Sequence, residues 1–511
     1  RGDDRPVGCT TGGCRESLHR MTRSAASVLY AAALMLALAL TAAGNDGPAT
    51  YDFGPLLSRQ VDVHGHERFK ILGPFFERTS GDDDMELLAT RPLYSTVEDP
   101  ARDRSLDDFV WPVGTSRTVH DENQWRFLIF FGFNHTTNDP GDRYRTWLFP
   151  FYFQGRDASG DTYRALFPLG GTIKDFVGRD EVSFVLFPLY STSALKDIST
   201  VNVLWPFISK TTSDNDRIRR GRVFPFYGYN RQEGKFDKQF ILWPIYSDVD
   251  YYYEGSKGSG HILFPLYGWL NLESEKTLWL LPPFFRFTDG RDKDIVHAPW
   301  PFYQRRISDT IDLRYFWPIW GRKTIEQRET HFVLWPFFWK EKDLWPDKRV
   351  DTVMAAPFFT HTAVRTVNTN EVAAADGEQE VEVLARRHKL WPLYSYRRDG
   401  EDSRFRFVEL WPFAEAPAVE RNWAPFWTLY ERQASGEDVD TEILWGLFRN
   451  QKRGEEGRYV SLFPLADYRR GEEEKSWNLL KGLIGYERKA SQKSLRLLYF
   501  LRLELGKDDP P

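Results

Sequence analysis

The chain has 511 residues, a formal net charge of -5, 41% hydrophobic and 28% charged residues. That balance fits a folded protein with a wet exterior and gives no electrostatic case for nucleic-acid binding. Aromatic residues make up 16% of the chain, with 19 Trp, 23 Tyr and 39 Phe, while Cys is reduced to 2, which excludes a disulfide framework.

In chain order, residues 1–20 read as sequence upstream of the true start at Met21, and they hold both cysteines, Cys9 and Cys14. Arg23, an apolar run from Ala25 to Ala43, and the small residues Ala42-Ala43-Gly44 then form the pattern of a signal peptide over 21–44. The mature chain is expected to begin near Gly44 or Asn45, in the periplasm or outside the cell. An uncleaved anchor is the alternative, since the apolar run is just long enough to span a bilayer. No Cys follows the apolar run, so a Cys-anchored lipoprotein is not expected. Outer-membrane association stays open.

Residues 45–70 read as a lead-in segment, 71–505 as a repeat domain and 506–511 as a disordered tail. The repeat core is apolar-aromatic-Pro-apolar-aromatic, as in Leu148-Phe149-Pro150-Phe151-Tyr152, Leu186-Phe187-Pro188-Leu189-Tyr190 and Leu242-Trp243-Pro244-Ile245-Tyr246. Weaker copies surround Pro74, Pro92, Pro112, Pro168, Pro282, Pro357 and Pro425, and Gly132 and Gly446 stand where a Pro is expected. Centres recur about every 17–21 residues, the spacing of a tandem supersecondary unit. Between them come turn-rich polar stretches such as Thr288-Asp289-Gly290-Arg291-Asp292 and Arg397-Arg398-Asp399-Gly400, which are hairpin signals. The flanking runs are rich in Val, Ile, Thr and aromatics, which suit strands. The predicted fold is therefore all-β, in tandem antiparallel hairpins, with one long hairpin over 361–388.

The prolines discriminate between two arrangements. Within a strand each would remove a ladder donor, and an unsatisfied buried partner costs about 1–3 kcal/mol. Summed over the repeats, that rivals the whole net stability of a domain, about 5–15 kcal/mol. At a corner between hairpins no ladder N–H is needed and the fixed φ helps the bend. Pro150, Pro188, Pro206, Pro244, Pro265, Pro336 and Pro392 are accordingly expected at bends, with charged tips at the far ends of the hairpins.

A tandem Trp/Phe-Pro-Phe/Tyr repeat behind a signal peptide resembles uncharacterised bacterial envelope proteins described as β-flowers. The resemblance spans about residues 70–500 and implies hairpins set radially around a shallow barrel or channel with an apolar interior. Members of that family have a loose shape similarity to tubby-like lipid-binding domains, but the resemblance implies no established activity. The missing lipid-anchor Cys departs from that family. A β-propeller and a transmembrane β-barrel are the rival architectures.

No nucleophile elbow, zinc-protease helix, phosphate loop or dinucleotide fingerprint occurs, so the chain is read as a non-enzyme with no cofactor. His64-Gly65-His66 lacks a third metal ligand, Asp82-Asp83-Asp84 lacks the spacing of a calcium loop, and both read as solvated turns. Asn134-His135-Thr136 is a glycosylation sequon that matters only in a eukaryotic host. What remains is the aromatic core. Trp205, Trp243, Trp300, Trp317, Trp335, Trp391 and Trp411 are expected to converge on an apolar hub or channel for lipid-like molecules, with a lipid or membrane surface as partner. The alternative is a structural or adhesive module, binding glycan or protein, whose hub is closed core.

Overall fold

The computed structural model describes residues 51–136, 142–176, 178–366, 383–454, 457–490 and 492–507. The expected leader at 21–44 and the expected tip of the long hairpin lie outside these residues. Among the described residues the chain is all-β, with 46 strands and two short α-helices, Pro417–Asn422 and Ala424–Trp427. Strands pair antiparallel with their chain neighbours, which is the tandem-hairpin arrangement. The chain divides into two compact units. The first takes in the chain up to Trp111 together with Arg404–Val408 and Glu415–Pro511; the second takes in Pro112–Ser403 and Glu409–Ala414.

In the second unit corners and tips alternate strictly. Strand Ile198–Val203 runs into the corner 204–207, strand Ile208–Ser213 returns, and the tip 214–217 leads to strand Ile218–Val223. Such a meander puts every proline corner on one edge of the sheet and every polar tip on the other. Ile198–Val203 alternates between half-buried and exposed along its length, as the two-residue period of a strand requires.

The corners at Pro206 and Pro188 are four-residue turns closed by a backbone bond. Phe207 N donates to Leu204 O at 2.9 Å, and Leu189 N donates to Leu186 O at 2.8 Å. The aromatic–proline peptides of these corners are cis, as at Trp205–Pro206 and Phe187–Pro188. Successive corners are also tied together: Trp205 N donates to Pro188 O at 2.8 Å, and Trp243 N to Pro225 O at 2.7 Å. The proline therefore contributes its carbonyl where its missing N–H is not called for. All seven prolines expected at bends lie between strands: Pro150, Pro188, Pro206, Pro244, Pro265, Pro336 and Pro392.

Two expectations need correction. Gly132 is not a corner; it lies inside strand Phe131–Thr136, opposite Trp147, because the indole needs a partner without a side chain. Pro425 sits in the first turn of helix Ala424–Trp427, where a missing N–H costs nothing. Within the lead-in segment, strands Tyr51–Phe53, Leu57–Val61 and Glu67–Ile71 pair in sequence, with Gly54-Pro55 as the first corner at a Gly54 φ of 59°. The carboxy-terminal strand extends through Gly506 and Lys507, which pair with Lys493 and Gln492. The long hairpin is present as strands Phe359–Thr366 and Val383–Leu390.

Candidate functional site

The corner edge of the second unit is unusually apolar and open to solvent. Leu186, Leu189, Leu204, Phe207, Leu242 and Ile245 are 52, 49, 47, 50, 48 and 49% exposed. Trp205, Trp243, Trp300 and Trp335 are 46, 53, 43 and 42% exposed, while Trp317, Trp391 and Trp411 are half-buried. The corner aromatics touch along the edge: Phe187 lies 5.6 Å from Trp205, Phe224 lies 5.5 Å from Trp243, and Trp317 lies 5.8 Å from Trp335. These separations are in the attractive range for aromatic pairs.

Of the seven predicted tryptophans, the structure brings two together at one cavity. Trp205 and Trp243 line a space of about 960 Å³ formed by strands from Arg179–Val185 to Glu275–Leu280. That volume lies within the range of small-molecule sites, about 300–1,000 Å³. Trp300, Trp317, Trp335, Trp391 and Trp411 are not part of its lining. Trp391 Nε1 donates to Leu410 O at 3.0 Å. Trp411 falls in an irregular stretch rather than at a hairpin corner, and its Nε1 donates to Ala414 O at 2.8 Å.

The cavity wall is not uniformly apolar, as the hub was expected to be. Cross-strand register puts Thr200 opposite Thr211, Thr211 opposite Arg220, Arg220 opposite Asn230, and Asn230 opposite Lys238. Residues directly opposite share a face, so this row is a polar belt. Thr200 and Thr211 hydroxyls bond at 2.9 Å. A neighbouring row on the same face runs through Asn202, Ser209 and Arg222 to Gly228, Phe240 and Ser247. Gly228 lies there because a Cβ would overlap the Phe240 ring.

The interior of the first unit is built on charge. Arg449, 2% exposed, reaches Asp52 Oδ1 at 2.5 Å, Ser58 Oγ at 3.1 Å and Glu442 Oε1 at 3.3 Å. Lys70 bonds Glu442 at 2.9 Å, Glu77 pairs with Arg68 at 3.0 Å and Arg91 at 2.8 Å, and Arg406 pairs with Glu420 at 2.7 Å. Buried carboxylates persist as anions only when paired. Burial pushes the Glu442 carboxyl up, but Lys70, Arg449 and Arg68 outweigh it and hold the group down to about 2. Burial likewise opposes ionisation of Glu77 and Glu431, and the surrounding Arg and Lys side chains overcome it, leaving both well below the usual carboxylate range. The spaces among these residues are small, about 30 and 180 Å³.

Sequence reasoning missed this network and the small residue three places after the proline. Ser191, Ser209, Gly228, Ser247, Gly268 and Gly321 all follow that spacing, and the regularity was present to be read. At the other sites weighed from sequence, Asp62 Oδ1 accepts the backbone N–H groups of His64 and His66 at 2.9 and 3.0 Å, an Asx-type turn. Among the described residues no group of three or more His, Cys, Asp or Glu is arranged to hold a metal. No family model and no curated protein matches the chain.

Proposed function

We propose that this is an exported, non-enzymatic envelope protein that holds lipid-like apolar molecules through the proline-corner edge of its second unit. One observation carries the reading: Trp205 and Trp243, side chains of the repeated corner motif, meet at a cavity of about 960 Å³. Exposed Trp, Phe and Leu at a sheet edge also suit the boundary between water and lipid. Burying one such side chain against an apolar ligand is worth about 1.5–3 kcal/mol, so a few corners give useful affinity. The β-flower resemblance agrees in kind. The first unit favours a second, structural role for itself, because its interior is a charge-paired network with little free space.

Native mass spectrometry on protein purified from its own host without detergent tests the reading. The expected result is bound lipid-like mass that is lost in Trp205→Ala/Trp243→Ala while the circular dichroism spectrum is unchanged. Ligand-free protein, which also fails to take up added alkyl-chain compounds, would overturn it.

A further inference from the structure

The cavity is amphipathic and its lining carries four cationic side chains against one carboxylate. Of the charged residues lining it, Arg179, Arg220, Arg222 and Lys238 are cationic, and Asp248 alone is anionic. Asp248 lies opposite Gln239 and His261 in the register, which is the row facing away from Arg220 and Lys238, and its Oδ2 accepts from Gln239 at 3.0 Å. The wall that carries Arg220, Arg222 and Lys238 therefore contributes no carboxylate to the cavity. Neither arginine nor Lys238 is joined to a carboxylate among the described residues. Lys238 Nζ instead lies 4.7 Å from the Phe236 ring and 5.0 Å from the Tyr251 ring.

Arg220 and Lys238 sit two strands apart, about 10 Å at the usual strand spacing, and flank Asn230. Asn230 Oδ1 is buried and has no hydrogen-bond partner. A buried acceptor without a partner is costly, and a donor from a ligand relieves it. On the same wall lie Phe240, Val249, Ile262 and Trp279, a surface for a hydrocarbon chain.

We infer that the cavity binds an anionic amphiphile, specifically one whose headgroup combines anionic oxygens with a hydroxyl, such as a monoalkyl phosphate. The anionic oxygens meet Arg220, Arg222 and Lys238, the hydroxyl donates to Asn230, and the chain runs along Phe240 toward Trp243. This rests on the reading of the second unit as an apolar-molecule binder, and it adds the charge of the ligand.

The test is calorimetric titration of the full chain with monomeric dodecyl phosphate and with monomeric dodecylphosphocholine, which has the same chain and a cation beside the phosphate. One charge-assisted bond is worth about 1.5–3 kcal/mol, so dodecyl phosphate is expected to bind about 10-fold tighter or better, with a preference that shrinks as salt rises. In Arg220→Gln/Arg222→Gln the preference is expected to vanish while dodecylphosphocholine binding persists; Asn230→Ala, which leaves the charges alone, is expected to weaken dodecyl phosphate only. Equal affinity for the two compounds in the parent protein, or a preference that survives loss of both arginines, would overturn the anionic headgroup and leave the apolar reading standing. Binding of neither compound would overturn both.

Discussion

Gly228 and Leu204 both flank a proline corner and behave oppositely in the structure. Gly228 faces Phe240 across the ladder, and Gly321 faces Phe332 in the same way, each with no room for a Cβ. Gly228→Ala or Gly321→Ala is expected to destabilise by about 1–3 kcal/mol, the cost of overpacking, read as a lower midpoint in urea. Leu204 stands at φ 50° and is 47% exposed. A left-handed non-glycine residue costs about 1–2 kcal/mol, and a glycine loses a similar amount of unfolded-chain entropy. Leu204→Gly is therefore expected to leave stability within about 1 kcal/mol; a fall as large as that of Gly228→Ala would show the Leu204 side chain to be packed. The glycine positions were legible from their fixed distance after the proline. The left-handed leucines were not, because nothing in Leu itself announces positive φ.

At the scale of the element, the hairpin alternation was readable from the proline spacing and the Asp-Gly tips, since each has a local physical cause. The charged interior of the first unit was not. Strands such as Glu67–Ile71 and Phe448–Arg453 carry charges in a pattern that suits a solvated face. Their partners come from the far side of the sequence: Arg449 from Asp52, and Lys70 from Glu442. The helix at 424–427 was not legible either, because Pro425 fits the repeat while it starts a helix. Arg449→Met is expected to cost about 3–5 kcal/mol, since it leaves Asp52 buried without its partner, and Asp52→Asn/Arg449→Met to recover a substantial part; equal loss in both variants would contradict pairing as the cause. The pH dependence has a definite sign. Glu442, Glu431 and Glu77 have folded values below the ordinary 4.5, Glu442 at about 2. Their stabilisation is complete above about pH 4.5 and is lost as pH falls from there toward about 2. For Glu442 this amounts to roughly 3 kcal/mol at neutral pH. Urea midpoints between pH 7 and pH 3 should fall steeply, and less so in Glu442→Gln; a flat profile would contradict the network.

On the scale of the molecule, the second unit separates its chemistry by edge. The corners hold exposed Trp, Phe and Leu, the tips hold polar residues apart from Tyr252, Tyr253 and Trp345, and the cavity lies among strands that carry Trp205 and Trp243 at their corner ends. The repeat announced the aromatic corners plainly. It did not announce which of them would share a cavity, because that depends on sheet curvature accumulated over many strands, nor that the cavity wall would carry a polar row. Aromatic surface left open to water at so many corners is what motivates the proposed binding of an apolar chain. The most direct measurement is a crystal of the full chain grown with 12-bromododecanol, whose neutral head separates chain binding from charge. The account predicts an anomalous bromine peak inside the cavity that Trp205 and Trp243 line, absent in Trp205→Ala/Trp243→Ala. A cavity filled by the protein's own side chains, or a bromine found only elsewhere, would contradict it.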